Sequence, residues 1–246
     1  MIFFMFWVLS LGNLKDDTQK RLTEEGFVFV EGNEYIQSFY MAKYEVTISE
    51  FLAFQRSTGY KSSAERLDSA IVFDPTFRFA KGVNFRHDIL GKPLPKEKYD
   101  VLPAARITFE DAQAYAKWKG GRLPTIDEWI YAARGGKKSR GYRYPGGNNP
   151  HRIGFFDRIN SFDYTQPQPI GQKEPNELGI YDMGGNLQEM TYSSKEPNII
   201  RPLGGSYFED PSFAILDKIT SMEPSIEWIN KNPYPMIGFR IVKDAK

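Results

Sequence analysis

The segment from Pro175 to Thr191, PNELGIYDMGGNLQEMT, constrains this chain more than any other. Asp182, two adjacent glycines, Asn186 and Glu189 fall close together, interleaved with apolar Leu178, Ile180, Met183 and Leu187. Such a stretch buries its apolar side chains while its backbone turns tightly around a small polar centre. Glycines at 184 and 185 admit positive φ, so carbonyls can turn inward. Two readings follow. Asp182, the carbonyls of Gly185 and Leu187, and Glu189 form a hard oxygen cage of the kind calcium takes. Alternatively, Asp182 and Asn186 bond local amides in a capped turn.

The rest of the chain fits a protein of short, capped elements. Thr47-Ile48-Ser49-Glu50 is a capping box; Phe51 and Phe54 give its helix an apolar face, and Gly59 ends it. Thr108 opens a second helix with Asp111 as its capping partner, carries Phe109, Ala112, Tyr115 and Ala116 inward, and stops at Gly120-Gly121. A third box, Thr125 to Glu128, starts a helix that points Trp129, Ile130 and Ala133 inward and ends at Gly135-Gly136. Gly26–Val30, Gln37–Val46, Ile199–Tyr207 and Gly238–Val242 are predicted strands. Residues 61–101 are predicted to be an ordered loop region, given their prolines and aromatics, and residues 141–172 to be irregular.

Composition removes several functions. The 246 residues suffice for a core without staples. A net charge of +1 offers no electrostatic case for nucleic acid. With no cysteine, disulfides, thiolate metal sites and thiol nucleophiles are excluded. Only His87 and His151 supply imidazole. The apolar run Met1–Leu9 is too short to span a bilayer, which needs roughly 20 residues, so stable membrane insertion is not expected. Followed by Ser10 and Gly12, it has the look of a secretory signal core. Residues 1–25 are therefore read as a signal segment and linker, which places the protein outside the cytoplasm.

Taken in order, KYEVTISEFLAF, TFEDAQAYAKWKGGRLPTIDEWIYAARGG, YPGGN, PNELGIYDMGGNLQEMT, LGGSY and GFRIV resemble the sulfatase-modifying-factor family, typified by formylglycine-generating enzymes. The resemblance runs from Gly26 to Val242. It implies one domain over 26–246 of the α+β class: a C-type lectin-like fold of the formylglycine-generating type, with little regular secondary structure. It also implies a calcium loop at Asp182, Gly185, Leu187 and Glu189. Family members include copper oxidases of a sulfatase cysteine, non-haem iron enzymes, components of secretion or gliding machinery, and binding proteins.

The departures from the family are chemical. Glu209 and Ala214 stand where the copper-binding cysteines of the oxidases would be, and neither side chain can hold Cu(I). No copper is expected. An iron site of two histidines and a carboxylate would need both His87 and His151. Asn84-Phe85-Arg86-His87 resembles an Asn-Trp-Arg-His element near the family groove, which Ser206, Tyr207 and Glu209 would also line. Glu209, Ser206 and His87 are thus the catalytic candidates, though no nucleophile–base pair is legible among them. The leading expectation is a binding or assembly module for a protein or peptide partner. A family enzyme with altered chemistry, formylglycine-generating-like or iron-dependent, and a component of a secretion or gliding apparatus are the alternatives.

Overall fold

A computed structural model describes residues 22–23, 25–156, 166–196, 199–218 and 226–245. The expected signal segment lies outside them but for a few residues of its linker. Three small sheets and six helices make up the described fold. The first sheet has the order β1-β2-β8, with β1 at Phe27–Val30, β2 at Phe39–Ala42 and β8 at Val242–Asp244, all antiparallel. The second has the order β6-β5-β7. Its β5 (Gln188–Tyr192) pairs antiparallel with β6 (Ile200–Leu203) and parallel with the two-residue β7 (Ile237–Gly238). The third is a hairpin of β3 (Ser69–Phe73) and β4 (Phe77–Lys81).

All three sequence-predicted capping boxes form. Thr47 accepts from the Glu50 amide at the start of α1 (Ile48–Thr58), and Gly59 closes that helix at φ 71°. A further box, Ser62 with Glu65, opens α2 (Ser63–Arg66). Thr108 and Asp111 cap α3 (Phe109–Trp118), and Thr125 and Glu128 cap α4 (Ile126–Ala133). Each box contributes on the order of 1 kcal/mol. Asp111 does more than cap: it also accepts from the Tyr60 hydroxyl and the Ser63 amide, tying α2 to α3. Two short helices complete the set, α5 (Pro150–Ile153) and α6 (Ile226–Lys231).

The main core is aromatic. Phe51 packs edge-on against Phe85 at 5.1 Å between centroids, and Tyr115 against Phe239 at 5.3 Å. A second cluster joins Trp129, Met41, Leu203 and Val242 between α4 and the first sheet.

Several expectations need correction. The region 61–101 is not loop throughout, because it holds α2 and the β3–β4 hairpin. The hairpin turn is closed by the Asp74 amide donating to the Thr76 carbonyl. The strand expected at Gly238–Val242 breaks into β7 and β8, since Arg240 between them is drawn fully inward. That expected at Ile199–Tyr207 ends at Leu203, where Gly204 adopts φ 99°. The expected strand at Gln37–Val46 shortens to β2. In α4, Trp129, Ala132 and Ala133 are buried and Ile130 only half-buried.

Candidate functional site

The Gly-Gly segment folds as a loop that feeds β5. Asp182 and Asn186 both adopt left-handed backbone, at φ 57° and 59°, a conformation that Asp and Asn tolerate better than most residues. Gly185 must stay glycine: a Cβ there would meet the Phe155 carbonyl oxygen at 2.4 Å. Its amide donates to the carbonyl of Gly204 at 2.9 Å, binding the loop to the GGS segment.

Beneath the loop lies a buried cluster of charge. Glu189 is 0 % exposed and forms a bidentate pair with Arg240, itself 0 % exposed. The Trp129 indole donates to Glu189 Oε2 at 2.7 Å. The remaining Arg240 donors reach the carbonyls of Ala42, Lys43 and Tyr181. All five guanidinium donors are therefore used. Glu45 joins from before α1, accepting from the Asn186 side chain at 2.7 Å and the Leu187 amide at 3.0 Å. Asp182 Oδ2 accepts from the Gly171 amide at 2.7 Å, while its buried Oδ1 has no partner among the described residues.

Three carboxylates thus face one guanidinium. Burial, reinforced by Asp182 and Glu189, holds Glu45 well above the usual carboxylate range. Burial pushes Asp182 up to about 6. A bound dication would suit this cluster on two counts. It would balance the surplus negative charge, and it would give the orphaned Asp182 Oδ1 a partner. Glu189 has three of its roughly four lone-pair sites filled, leaving one on Oε1. Among the described residues no group of three or more Asp, Glu or His side chains is arranged to hold a metal. The expected cage instead draws on two carboxylates and two carbonyls.

The GGS segment differs in character. Ser206 is fully buried and Tyr207 donates to the Pro235 carbonyl at 3.4 Å. Glu209 is half-buried, and both its oxygens accept from the Gln188 amide nitrogen at 2.7 Å. Burial raises its pKa, against the pull of Gln188. Ala214 sits in an apolar cluster with Tyr144, Ile153, Phe156 and Ile215. The two positions expected to correspond to the copper ligands are thus an amide-held carboxylate and a methyl packed in hydrocarbon. They do not fit copper.

His87 serves a turn. Its Nδ1 accepts from the Asn84 amide at 3.2 Å, and its carbonyl accepts from Arg106 at 2.6 Å. Burial lowers its pKa, so the ring is neutral at pH 7. Arg106, which the sequence did not single out, is the organiser here. Buried, with φ 57°, it also donates to the carbonyls of Ile71 and Asp88. The structure therefore places His87 in a separate turn, while Glu209 is bonded by both Gln188 and Ser206.

Beside Glu209, an aromatic wall reaches the surface. Phe73 lies 5.1 Å from Phe77 and 5.2 Å from Phe208, and Phe77 lies 5.0 Å from Tyr234. Phe77 and Trp228 are 40 % and 38 % exposed. Among the described residues strand β4 pairs with β3 alone, and its other edge has no strand beside it there.

Residues 8–245 match the model of the sulfatase-modifying factor enzyme 1-like domain. A formylglycine-generating enzyme of Streptomyces coelicolor is 30% identical, over 85% of this chain and 79% of its own length. An inactive Cα-formylglycine-generating enzyme 2 of Mus musculus is 32% identical, over 66% of this chain and 60% of its own. A chaperone protein LppX of Paenibacillus barcinonensis is 27% identical, over 65% and 64%. The chain spans about half, 49%, of the bovine formylglycine-generating enzyme it also matches. Among solved structures, CarF superposes with a TM-score of 0.61 at 22% identity, over 89% of this chain and 93% of that one. PvdO from Pseudomonas aeruginosa superposes at 0.60 and 19%, over 89% and 91%.

Proposed function

Since the chain belongs to the sulfatase-modifying-factor family, we propose that it is a member without the copper oxidase centre, working as a binding or assembly module. The observation that carries this reading is the state of Glu209 and Ala214. One is held by Gln188 and the other is embedded in an apolar cluster. Neither can act as the soft ligand that Cu(I) requires. Relatives named as an inactive enzyme and as a chaperone make a non-oxidase role a familiar outcome for such chains. We read the fold as C-type lectin-like in its small twisted sheets.

The aromatic surface beside Glu209 suits an extended protein segment. The edge of β4 away from β3 supplies backbone groups, and Phe77 and Trp228 supply apolar side-chain contacts. In the calcium loop, Asp182, Gly185, Leu187 and Glu189 would hold the ion. Its role there is charge balance beneath the loop, not chemistry. Export from the cytoplasm stays part of this proposal.

Two measurements test it. Incubation with Cu(I), oxygen and a cysteine-bearing sulfatase peptide is expected to leave the peptide unchanged; a formylglycine product would end the non-oxidase reading. A photo-crosslinking residue placed at Phe77 is expected to trap one defined partner in the native host. The same group at Tyr35, 86 % exposed on another element, should trap none. Equal trapping at both positions would remove this surface from the account.

A further inference from the structure

Charge is spread unevenly along this chain. The whole sequence is nearly balanced, with 32 basic and 31 acidic residues. The run from Arg134 to Phe156 nevertheless holds six Lys and Arg residues and no Asp or Glu. Such a local excess within a balanced chain marks an interaction surface. The run leaves the end of α4, passes through a turn of 3-10 helix at Gly136–Lys138 and an irregular loop, and finishes just past α5.

Its cations differ in availability. Arg134 pairs with Asp217, Lys137 with Glu31 and Arg152 with Glu174. Lys138, Arg140 and Arg143 are exposed and have no ion pair among the described residues. Arg140 feels the charge of Glu177, whose Oε1 accepts from the Arg140 backbone amide at 3.0 Å. A strip of unpaired positive charge therefore runs from Lys138 to Arg143.

These exposed cations stand on a fixed base. The Arg143 amide donates to Asn148 Oδ1 at 3.0 Å, and its carbonyl accepts from the Leu216 amide at 2.9 Å. Its guanidinium lies 5.6 Å from the centroid of the Tyr144 ring. Arg140 donates to the Tyr142 hydroxyl at 3.4 Å. Gly135, at φ 88°, leaves no room for a side chain, since a Cβ would lie 2.8 Å from Glu177 Cδ. Long cationic side chains lose freedom on docking, and here the fold has already met part of that loss.

We propose that this strip docks the protein on a membrane surface rich in anionic phospholipid. Guanidinium forks suit phosphate and carboxylate headgroups. Cations spaced along an exposed loop meet several headgroups at once and need no pocket. The contact is peripheral. No described helix is long and apolar enough to cross a membrane, and the strip exposes no large apolar side chain for insertion. Nucleic acid fits less well, because single strands need ring faces on which bases can stack. Tyr144 is buried beneath Arg143, and Tyr142 is half-buried. The strip shares no residue with the aromatic surface at Phe77 or with the calcium loop.

The test is co-sedimentation of the full chain with vesicles at low salt. Vesicles of equal parts phosphatidylserine and phosphatidylcholine should bind it, pure phosphatidylcholine should not, and about 0.5 M salt should release it. Combining Lys138→Gln, Arg140→Gln and Arg143→Gln should weaken partitioning about a hundredfold, roughly fivefold for each cation. Lys92, Lys96 and Lys98 are also exposed. Changing those three to Gln alters net charge by the same amount and should weaken binding far less. All six positions are exposed, so circular dichroism should show both variants folded. No binding to the phosphatidylserine vesicles, equal losses in the two triple variants, or tighter binding to a short oligothymidylate than to the vesicles would overturn the proposal.

Discussion

Two regions that lie about twenty residues apart in the chain, and touch through Gly185 and Gly204, treat polar groups in opposite ways. Around the loop, Glu45, Asn186, Glu189 and Arg240 are buried and engage one another through bonds that cross the whole fold. Around the GGS segment, Glu209 is half-exposed and bonded only by near neighbours in the same region, Gln188 and Ser206, and Ala214 is hydrocarbon. In the first region every donor has a designated acceptor, so replacing one member strands the rest. In the second, a functional pair can be exchanged without disturbing the frame. The fold of this chain is thus held by the loop and its ion pair, and the GGS segment carries less of it.

Removing the cation of the first region should have the largest effect. Arg240→Met keeps the bulk of the side chain but strands Glu189 as an uncompensated buried charge. The expected cost is about 3–5 kcal/mol, or a fall in Tm on the order of 10 °C for a chain of this size. Urea unfolding measures it. Adding Glu189→Gln should recover part of the loss, because the stranded charge is then gone. A loss below about 1 kcal/mol would mean that the pair is only as important as one on the surface, and the contrast between the regions would collapse.

Calcium comes next. An ion held at Asp182 and Glu189 stabilises the folded chain by about 2.7 kcal/mol when its concentration is a hundred times Kd. Chelation by EDTA should lower Tm accordingly, and Asp182→Ala should abolish the response. Thermal unfolding of the wild type that ignores calcium would remove the ion from the loop and leave Arg240 as its sole cation.

In EDTA, the same loop should reveal its surplus charge through pH. Folded Asp182 keeps its proton up to about 6, against 3.8 for the ordinary group. Its contribution to stability is therefore fully present below the lower value, and is lost as pH rises through the higher one. The difference corresponds to at most about 3 kcal/mol. Asp182→Asn should flatten the fall in stability between pH 4 and 6. An identical slope in wild type and variant would assign the titration elsewhere, with Glu45 first in line.

The reach of sequence reasoning follows the distance over which each interaction acts. Thr47 with Glu50, Thr108 with Asp111 and Thr125 with Glu128 were legible because each pair closes within one helical turn. The polar centre at Asp182–Glu189 was legible from composition, and its tight backbone from Gly184 and Gly185. Its partners were not: Arg240 and Glu45 lie far along the chain and carry no local signature of the cluster. The β3–β4 hairpin had a local signal in the Asp74-Pro75 turn between two Phe-rich runs, but it was obscured by the irregular stretch around it. Arg106 looked like an ordinary surface residue. Only the folded chain shows it binding three carbonyls.

The smallest effect is expected in the second region, and it is the one that bears most on function. Burial raises the Glu209 pKa, so the group contributes stability at low pH that is lost as pH rises through its folded value. Glu209→Gln removes that liability and still offers an oxygen to Gln188. At pH 8 the variant should therefore be as stable as the wild type or more so, by less than about 1 kcal/mol. A carboxylate that serves only as scaffold should behave in this way, since nothing then depends on its charge. If instead Glu209→Gln abolished a turnover measured on the native partner, while stability held, the carboxylate would be acting as an acid or base. The two regions would then differ in the kind of chemistry they carry, and no longer in whether they carry any.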